Sequence, residues 1–272
     1  MTTPQVRAFG SADGPLALYF HGTPGCAREA CWLEAAAQRH GIRLLALDRA
    51  SLAPGRTGHD YLHTLIDWTA STLDRQPASL VGFSIGAHLA LRVAAALPGA
   101  DLQCLLVSAA APLEWPQSWD GMGAGRHTFR LAQRHPERLA RIARLQCALA
   151  RHAPGLLARL LFQGVGRAER HLAREQRSRL KAVLEGALAE GPSAYLRDVQ
   201  LYCQPWADEL DNLAAPVSLW HGEDDRWAPP GMARGLVQHL RAATLRWQPG
   251  LGHYGTLLHS ADVLMQACRR QP

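Results

Sequence analysis

Lysine is almost missing from this chain: of 29 Lys plus Arg, Lys181 is the sole lysine and the rest are arginine. No G-x-x-x-x-G-K-[ST] loop and no H-E-x-x-H helix occurs, which argues against phosphate-loop and zincin chemistry. The alternating Gly121, Gly123 and Gly125 follow a Trp- and Pro-rich loop instead of a strand, so they make a poor dinucleotide site. The six cysteines (Cys26, Cys31, Cys104, Cys147, Cys203, Cys268) form no Cys-x-x-Cys pair and no Cys-His pattern with zinc spacing, and read as reduced thiols. No metal and no cofactor is expected. No apolar run approaches the roughly 18 residues of a membrane-spanning helix, since the longest candidate, 102–113, contains Gln103 and Ser108. Residues 1–20 lack the charged start, apolar stretch and cleavage site of a secretory leader, which leads to a cytoplasmic reading.

What is present is a globular composition: 272 residues, 47% hydrophobic and 19% charged, enough to bury a core without staples. Short apolar runs at 16–20, 44–47, 80–81 with flanks, 104–107, 217–220 and 245–247 read as buried strands. Segments 27–40, 61–73, 85–97, 232–240 and 256–269 carry apolar residues at helical spacing between them. Strand alternating with helix predicts an α/β fold, a mostly parallel sheet covered by helices on both faces.

From Pro112 to about Pro205 this rhythm stops: several helical patterns follow one another without a convincing strand. The expected organisation is a core of residues 1–112 and 206–272 with a helical cap of residues 113–205 inserted. In one of its helices Leu139, Ile142, Leu145 and Leu149 are expected to line a common face. Residues 113–205 hold 15 Lys plus Arg against 8 Asp plus Glu, a net of +7, whereas the remainder is −1. Arginine on a solvated helix surface accounts for this, and attraction of an anionic substrate is the functional alternative. The single lysine and the lack of a binding motif argue against nucleic acid as a partner.

The chemistry concentrates around Ser84. In the run Gly82-Phe-Ser84-Ile-Gly86 an apolar strand meets Gly-x-Ser-x-Gly and a helix follows, the context in which a serine sits on a strained turn above a sheet. The helix N-terminus after it favours negative charge near the serine oxygen. Upstream, the strand 16–20 runs into His21-Gly22-Thr23-Pro24-Gly25, suited to hold a developing oxyanion. The backbone amide of Ile85 is one expected donor and that of Thr23 the other, because Pro24 has no N–H.

With these segments, Trp220-His-Gly-Glu-Asp-Asp-Arg-Trp-Ala-Pro229 and Pro249-Gly-Leu-Gly-His253, the chain resembles the α/β-hydrolase superfamily, in its capped Ser-His-Asp branch. The resemblance implies serine, acid and histidine in that order. It places the acid at Asp225, with Asp224 as runner-up and Glu114 at an alternative acid position, and the general base at His253, in a loop before the last helix. Serine at the nucleophile position departs from the aspartate of epoxide hydrolases and haloalkane dehalogenases. Asp48-Arg49 also continues differently from the common Asp-Arg-Pro-Gly pattern, so the loop near the site is altered.

The implied activity is hydrolysis of a carboxylic ester or related small acyl substrate through an acyl-enzyme on Ser84. Thioesters on an anionic carrier, lactones and carbon–carbon bonds are alternatives, as is a binding protein without turnover. Trp115 and Trp119, with Phe129, Phe162, Tyr195, Tyr202 and Trp206, are the aromatic candidates for pocket or cap core. Trp115 and Trp119, with Phe83 and Tyr254 adjacent to Ser84 and His253, are the residues expected to touch substrate. Cys26 reads as an unreactive buried thiol.

Overall fold

A computed structural model of the chain describes residues 3–188 and 190–269, so residues 1–2 and 270–272 of the expected core and residue 189 of the expected cap lie outside it. Among the described residues seven strands form one sheet in the order β1-β3-β2-β4-β5-β6-β7: β1 (Val6–Gly10), β2 (Leu16–Phe20), β3 (Arg43–Leu47), β4 (Ala78–Phe83), β5 (Leu102–Val107), β6 (Val217–Gly222) and β7 (Ala243–Gln248). All neighbours run parallel except β1, which pairs antiparallel with β3. β1 carries no apolar signal because its residues are exposed or half-buried at the sheet edge. At the other edge β7 is only half-buried, not the buried strand that its apolar run suggests.

The central strands β2 and β4 are buried along their whole length, consistent with apolar layers on both faces. The helices between strands are α1 (Glu34–His40), α2 (Gly58–Leu73) and α3 (Ile85–Ala96), followed late in the chain by α10 (Pro230–His239) and α11 (His253–Cys268). The segment expected as one helix over 27–40 is divided. A 3-10 turn, Ala27–Trp32, precedes α1, and it buries Glu29 under the sheet's end.

Between β5 and β6 the described residues form two 3-10 turns, Pro116–Trp119 and Ala207–Asn212, and six helices with no strand: α4 (Gly125–Arg134), α5 (Pro136–His152), α6 (Pro154–Leu161), α7 (Arg167–Glu175), α8 (Arg177–Leu188) and α9 (Ser193–Tyr202). The buried face of α5 differs from the expected one. Leu139 is buried, but its companions are Ala143, Cys147 and Ala150, while Ile142 and Leu145 are 44% and 62% exposed. Small side chains let α6, α8 and α9 pack close against α5, and the larger apolar side chains are rotated outward.

The strand order turns back at β2 and β4, since β3 lies on one side of β2 and β4 on the other. In open parallel sheets the crevice beyond the strand ends at such a switch point is where ligands bind. The loops after β2 and β4 flank it.

Candidate active site

Ser84 lies between β4 and α3 with φ +57° and ψ −128°, a conformation that non-glycine residues rarely hold. The turn is overdetermined by its neighbours. Ser84 N–H donates to Val107 O at 3.1 Å, and its own carbonyl accepts from Ala87 and Ala110. The flanking glycines are required by space: a Cβ on Gly82 would sit 2.6 Å from Ala87 Cα, and one on Gly86 would collide with the Phe20 carbonyl. The serine is therefore held half-exposed at the start of α3, where unpaired amides face the same crevice.

Asp225 lies in the turn after β6 and His253 opens α11 after β7. His253 Nδ1–H donates to Asp225 Oδ2 at 2.7 Å, with both side chains buried. Asp225 Oδ1 accepts from the Trp227 and Ala228 amides at 2.9 Å each, so one oxygen shapes the acid's own loop and the other is left for the imidazole. His221 reinforces that loop by donating to Ala228 O at 2.8 Å. Burial pushes the Asp225 carboxyl up, but His253 and His221 beside it and the bonds that it accepts hold it below the ordinary aspartate value. The runner-up Asp224 is exposed, and Glu114 is occupied elsewhere, accepting from the Trp206 and Ala207 amides. His253 is the first residue of α11, not part of a loop before it, and its carbonyl accepts from Ser108 Oγ at 3.0 Å.

On the other side of Ser84, the loop after β2 is fastened by two buried charged groups. Glu29 Oε1 accepts from Gly22 N–H at 2.7 Å and from Tyr19 OH at 2.9 Å, and burial pushes its carboxyl up to about 7. Arg49 donates to His21 O, Gly22 O and Thr23 Oγ1, and pairs with Asp198 of α9 at 2.7 Å. Arg197 binds Asp198 as well, at 3.0 Å, and stacks on Tyr61. Burial raises the Asp198 carboxyl, yet Arg49 and Arg197 outweigh it and hold it at about 2. This ion network is where the Asp48-Arg49 departure leads. Sequence reasoning missed it because Asp198 is 149 residues from Arg49.

Ser84, His253, Thr23 and Ile85 line one cavity of about 270 Å³, together with Phe83 and Tyr254. Of the other aromatic candidates, Phe129, Phe162, Tyr195 and Tyr202 also line it. Trp115 and Trp119 do not: Trp115 stacks on His239 of α10 at 4.0 Å, and Trp119 Nε1–H is tied to Leu113 O at 2.9 Å. Both are consumed in fastening the 3-10 turn to the sheet layer, and Trp206 packs on His88. The unforeseen wall is Trp227, three residues before Pro230, whose ring meets His253 edge-on at 5.1 Å. Among the described residues no Asp, Glu, Lys or Arg side chain lines the cavity. Cys26 is buried, donates to Val183 O, and has its thiol pushed up to about 12 by burial. His59 and His63 stand exposed on α2, and among the described residues no cluster of three metal-ligating side chains occurs.

A strained serine at a switch point, lining one cavity with a carboxylate-bound histidine, agrees with an alpha/beta hydrolase. The chain belongs to the alpha/beta hydrolase family, whose model matches residues 17–267. It is 26% identical over 201 residues to a pimeloyl-[acyl-carrier protein] methyl ester esterase of Nitrosomonas europaea, covering 71% of this chain and 71% of that protein. Among solved structures it is similar to a bromoperoxidase from Bacillus anthracis (TM-score 0.71, 16% identity, 96% of this chain and 92% of that one). It is also similar to a thermophilic esterase from Thermogutta terrifontis (TM-score 0.68, 17% identity, 98% and 91%). Among the described residues no helix is long and apolar enough to cross a membrane.

Proposed function

We propose that this protein is a serine esterase that cleaves small carboxylic esters with an apolar acyl group, through an acyl-enzyme on Ser84. The observation that carries the reading is the 2.7 Å bond from His253 to Asp225 in the cavity wall that also holds the strained Ser84. His253 takes the proton of Ser84 Oγ as the oxygen attacks the ester carbonyl, then returns it to the departing alkoxide. Asp225 fixes the ring with Nδ1 protonated, leaving Nε2 for the serine, and stabilises the imidazolium. Gly22 N–H is already given to Glu29, which supports Thr23 N–H, with Ile85 N–H, as the oxyanion donors. Water activated by the same histidine then releases the acid.

In this reading residues 113–205 form a cap that closes the cavity over Ser84, with Phe129, Phe162, Leu180 and Tyr195 as walls for the acyl chain. Their uncharged character favours an apolar chain over a charged one. A second reading is supported by the +7 of residues 113–205 and by the relative's name: an anionic carrier rests on the arginine-rich outside while its acyl chain enters the cavity. The test of the main reading is intact mass after fluorophosphonate treatment beside p-nitrophenyl ester turnover. One adduct on the wild type, lost in Ser84→Ala together with turnover, is the expected result. A folded wild type that takes no adduct and turns over no ester overturns it.

A further inference from the structure

We propose that Glu169, a cap residue, is a positioning residue for His253: its carboxylate closes the N-terminus of the helix that begins at that histidine. The proposal rests on the Ser84–His253–Asp225 reading above. The first amides of a helix have no partner within it and need acceptors from outside. In α11 the residue before the helix is Gly252, which has no side chain to supply one, and the chain offers no Ser, Thr, Asp or Asn at that place. Glu169 supplies it from α7, 85 residues away in sequence. Its Oε1 accepts from Tyr254 N–H at 2.6 Å and its Oε2 from Gly255 N–H at 3.3 Å. The two partners have matching shapes. A Cβ on Gly252 would lie 2.5 Å from Glu169 Oε2, so the glycine is the space into which the cap's carboxylate fits.

Glu169 is 4% exposed, and among the described residues no arginine or lysine pairs with it. A buried carboxylate without a cationic partner is unfavourable unless its bonds and neighbouring dipoles make up the difference. Burial raises the Glu169 carboxyl above its ordinary value, while the bonds from α11 and the nearby His253 pull it down. The charged and titratable groups around the imidazole are Asp225 and His221 from the β6 side, Glu29 from below the β2 loop, Tyr254 from α11 itself, and Glu169 from the cap. Of these, only Glu169 belongs to residues 113–205. It fixes where the first turn of α11 lies, and hence where the backbone of His253 lies, only when the cap is seated. The histidine is thereby held in place for Ser84 by the same closure that covers the cavity.

The experiment compares Glu169→Ala, Glu169→Gln and His253→Ala with the wild type. It reads the second-order rate of fluorophosphonate inactivation, kcat and KM for p-nitrophenyl butyrate, and the downfield proton resonance of His253 Nδ1–H. Misplacement of a catalytic group by an ångström or so lowers rates by about a hundredfold, and that is the fall expected in inactivation and kcat for Glu169→Ala. Its KM should stay within about twofold, and the downfield resonance should broaden. Glu169→Gln, which keeps an oxygen acceptor for Tyr254 N–H, should recover most of the rate. Wild-type rates in a folded Glu169→Ala overturn the proposal. So does a loss that merely tracks the unfolded fraction in circular dichroism, since the carboxylate then only holds the fold. Inactive His253→Ala beside wild-type Glu169 variants removes the positioning role alone, whereas wild-type activity in His253→Ala removes the triad reading itself.

Discussion

The floor of the cavity and its roof come from different stretches of chain, and Ser84 and His253 both belong to the floor. The floor lies at the ends of β2, β4, β6 and β7 and contributes Thr23, Ser84, Ile85 and His253, with the Asp225 carboxylate directly behind. The roof, residues 113–205, contributes Phe129, Phe162, Leu180, Val183 and Tyr195 and no charged side chain, although the same stretch carries a net charge of +7. Its charges divide into two groups. Most of the arginines face outward, while Asp198 is buried against the loop that carries Thr23 and Glu169 against the helix start that carries His253. In our reading the floor does chemistry, the inner roof selects substrate, and the buried acids join the two. Because the dipoles that would meet a developing charge are set before substrate arrives, little reorganisation is left to the reaction.

The strongest way to break this division is to remove the acid from the floor. Asp225→Asn should keep the fold and the cavity but release the imidazole from its tautomer, lowering kcat by about ten thousandfold with a much smaller change in KM. A comparable fall from any conservative change in the roof lining, measured on the same ester, would show that the floor does not hold the chemistry alone.

The next largest effect concerns the join. Asp198→Asn leaves Arg49 buried with an uncompensated charge, which in such networks costs about 3–5 kcal/mol of stability. The pH dependence has a definite sign. The folded-state carboxyl of Asp198, held at about 2, lies below its unfolded value, so its contribution is complete above the unfolded aspartate range and is lost as pH falls toward 2. Denaturant unfolding should therefore show a large gap between wild type and Asp198→Asn at pH 7, narrowing in acid as the wild type loses its advantage. A gap that is the same at pH 7 and pH 3 would assign the loss to packing instead of to the ion network.

How much of this was legible in the sequence follows from the range of each interaction. The strand–turn–helix at Ser84 and the loop 21–25 are local, and Gly82 and Gly86 are forced by contacts that any chain making this turn must meet. The buried β2 and β4 announce themselves as apolar runs, whereas β1 at the edge does not. Among three neighbouring acids the family resemblance already pointed to Asp225, and burial and the bond to His253 set it apart from the exposed Asp224. Arg49 with Asp198 and Glu169 with Tyr254 had no local signal, because each pair is joined only after the helical segment folds back over the sheet. Trp115 and Trp119 were misplaced for the related reason that an aromatic in an insert can serve its anchoring as readily as its cavity. The same ambiguity hid the packed face of α5, where alanine at helical spacing outweighs Ile142 and Leu145.

The smallest effect expected on an ordinary ester, and the sharpest on the roof's two sides, comes from the outer arginines. Arg138, Arg141 and Arg144 are exposed on α5, away from a cavity that no charged side chain lines. Reversing all three to glutamate should leave kcat/KM for a neutral p-nitrophenyl ester within about twofold, because exposed charges are screened by water and salt and a neutral ester offers them no charge to act on. For an ester whose leaving group carries a phosphate, KM should rise by about tenfold at low ionic strength, the lower end of what a focused field contributes to encounter. Raised salt should abolish that difference in the wild type. If both substrates respond alike, the charge on the roof is only a solvated surface, and the anionic-carrier reading falls while the esterase reading stands. If only the phosphorylated substrate responds, the outer roof recognises what the inner roof excludes, and a chain that enters the cavity is delivered by a group that stays outside it.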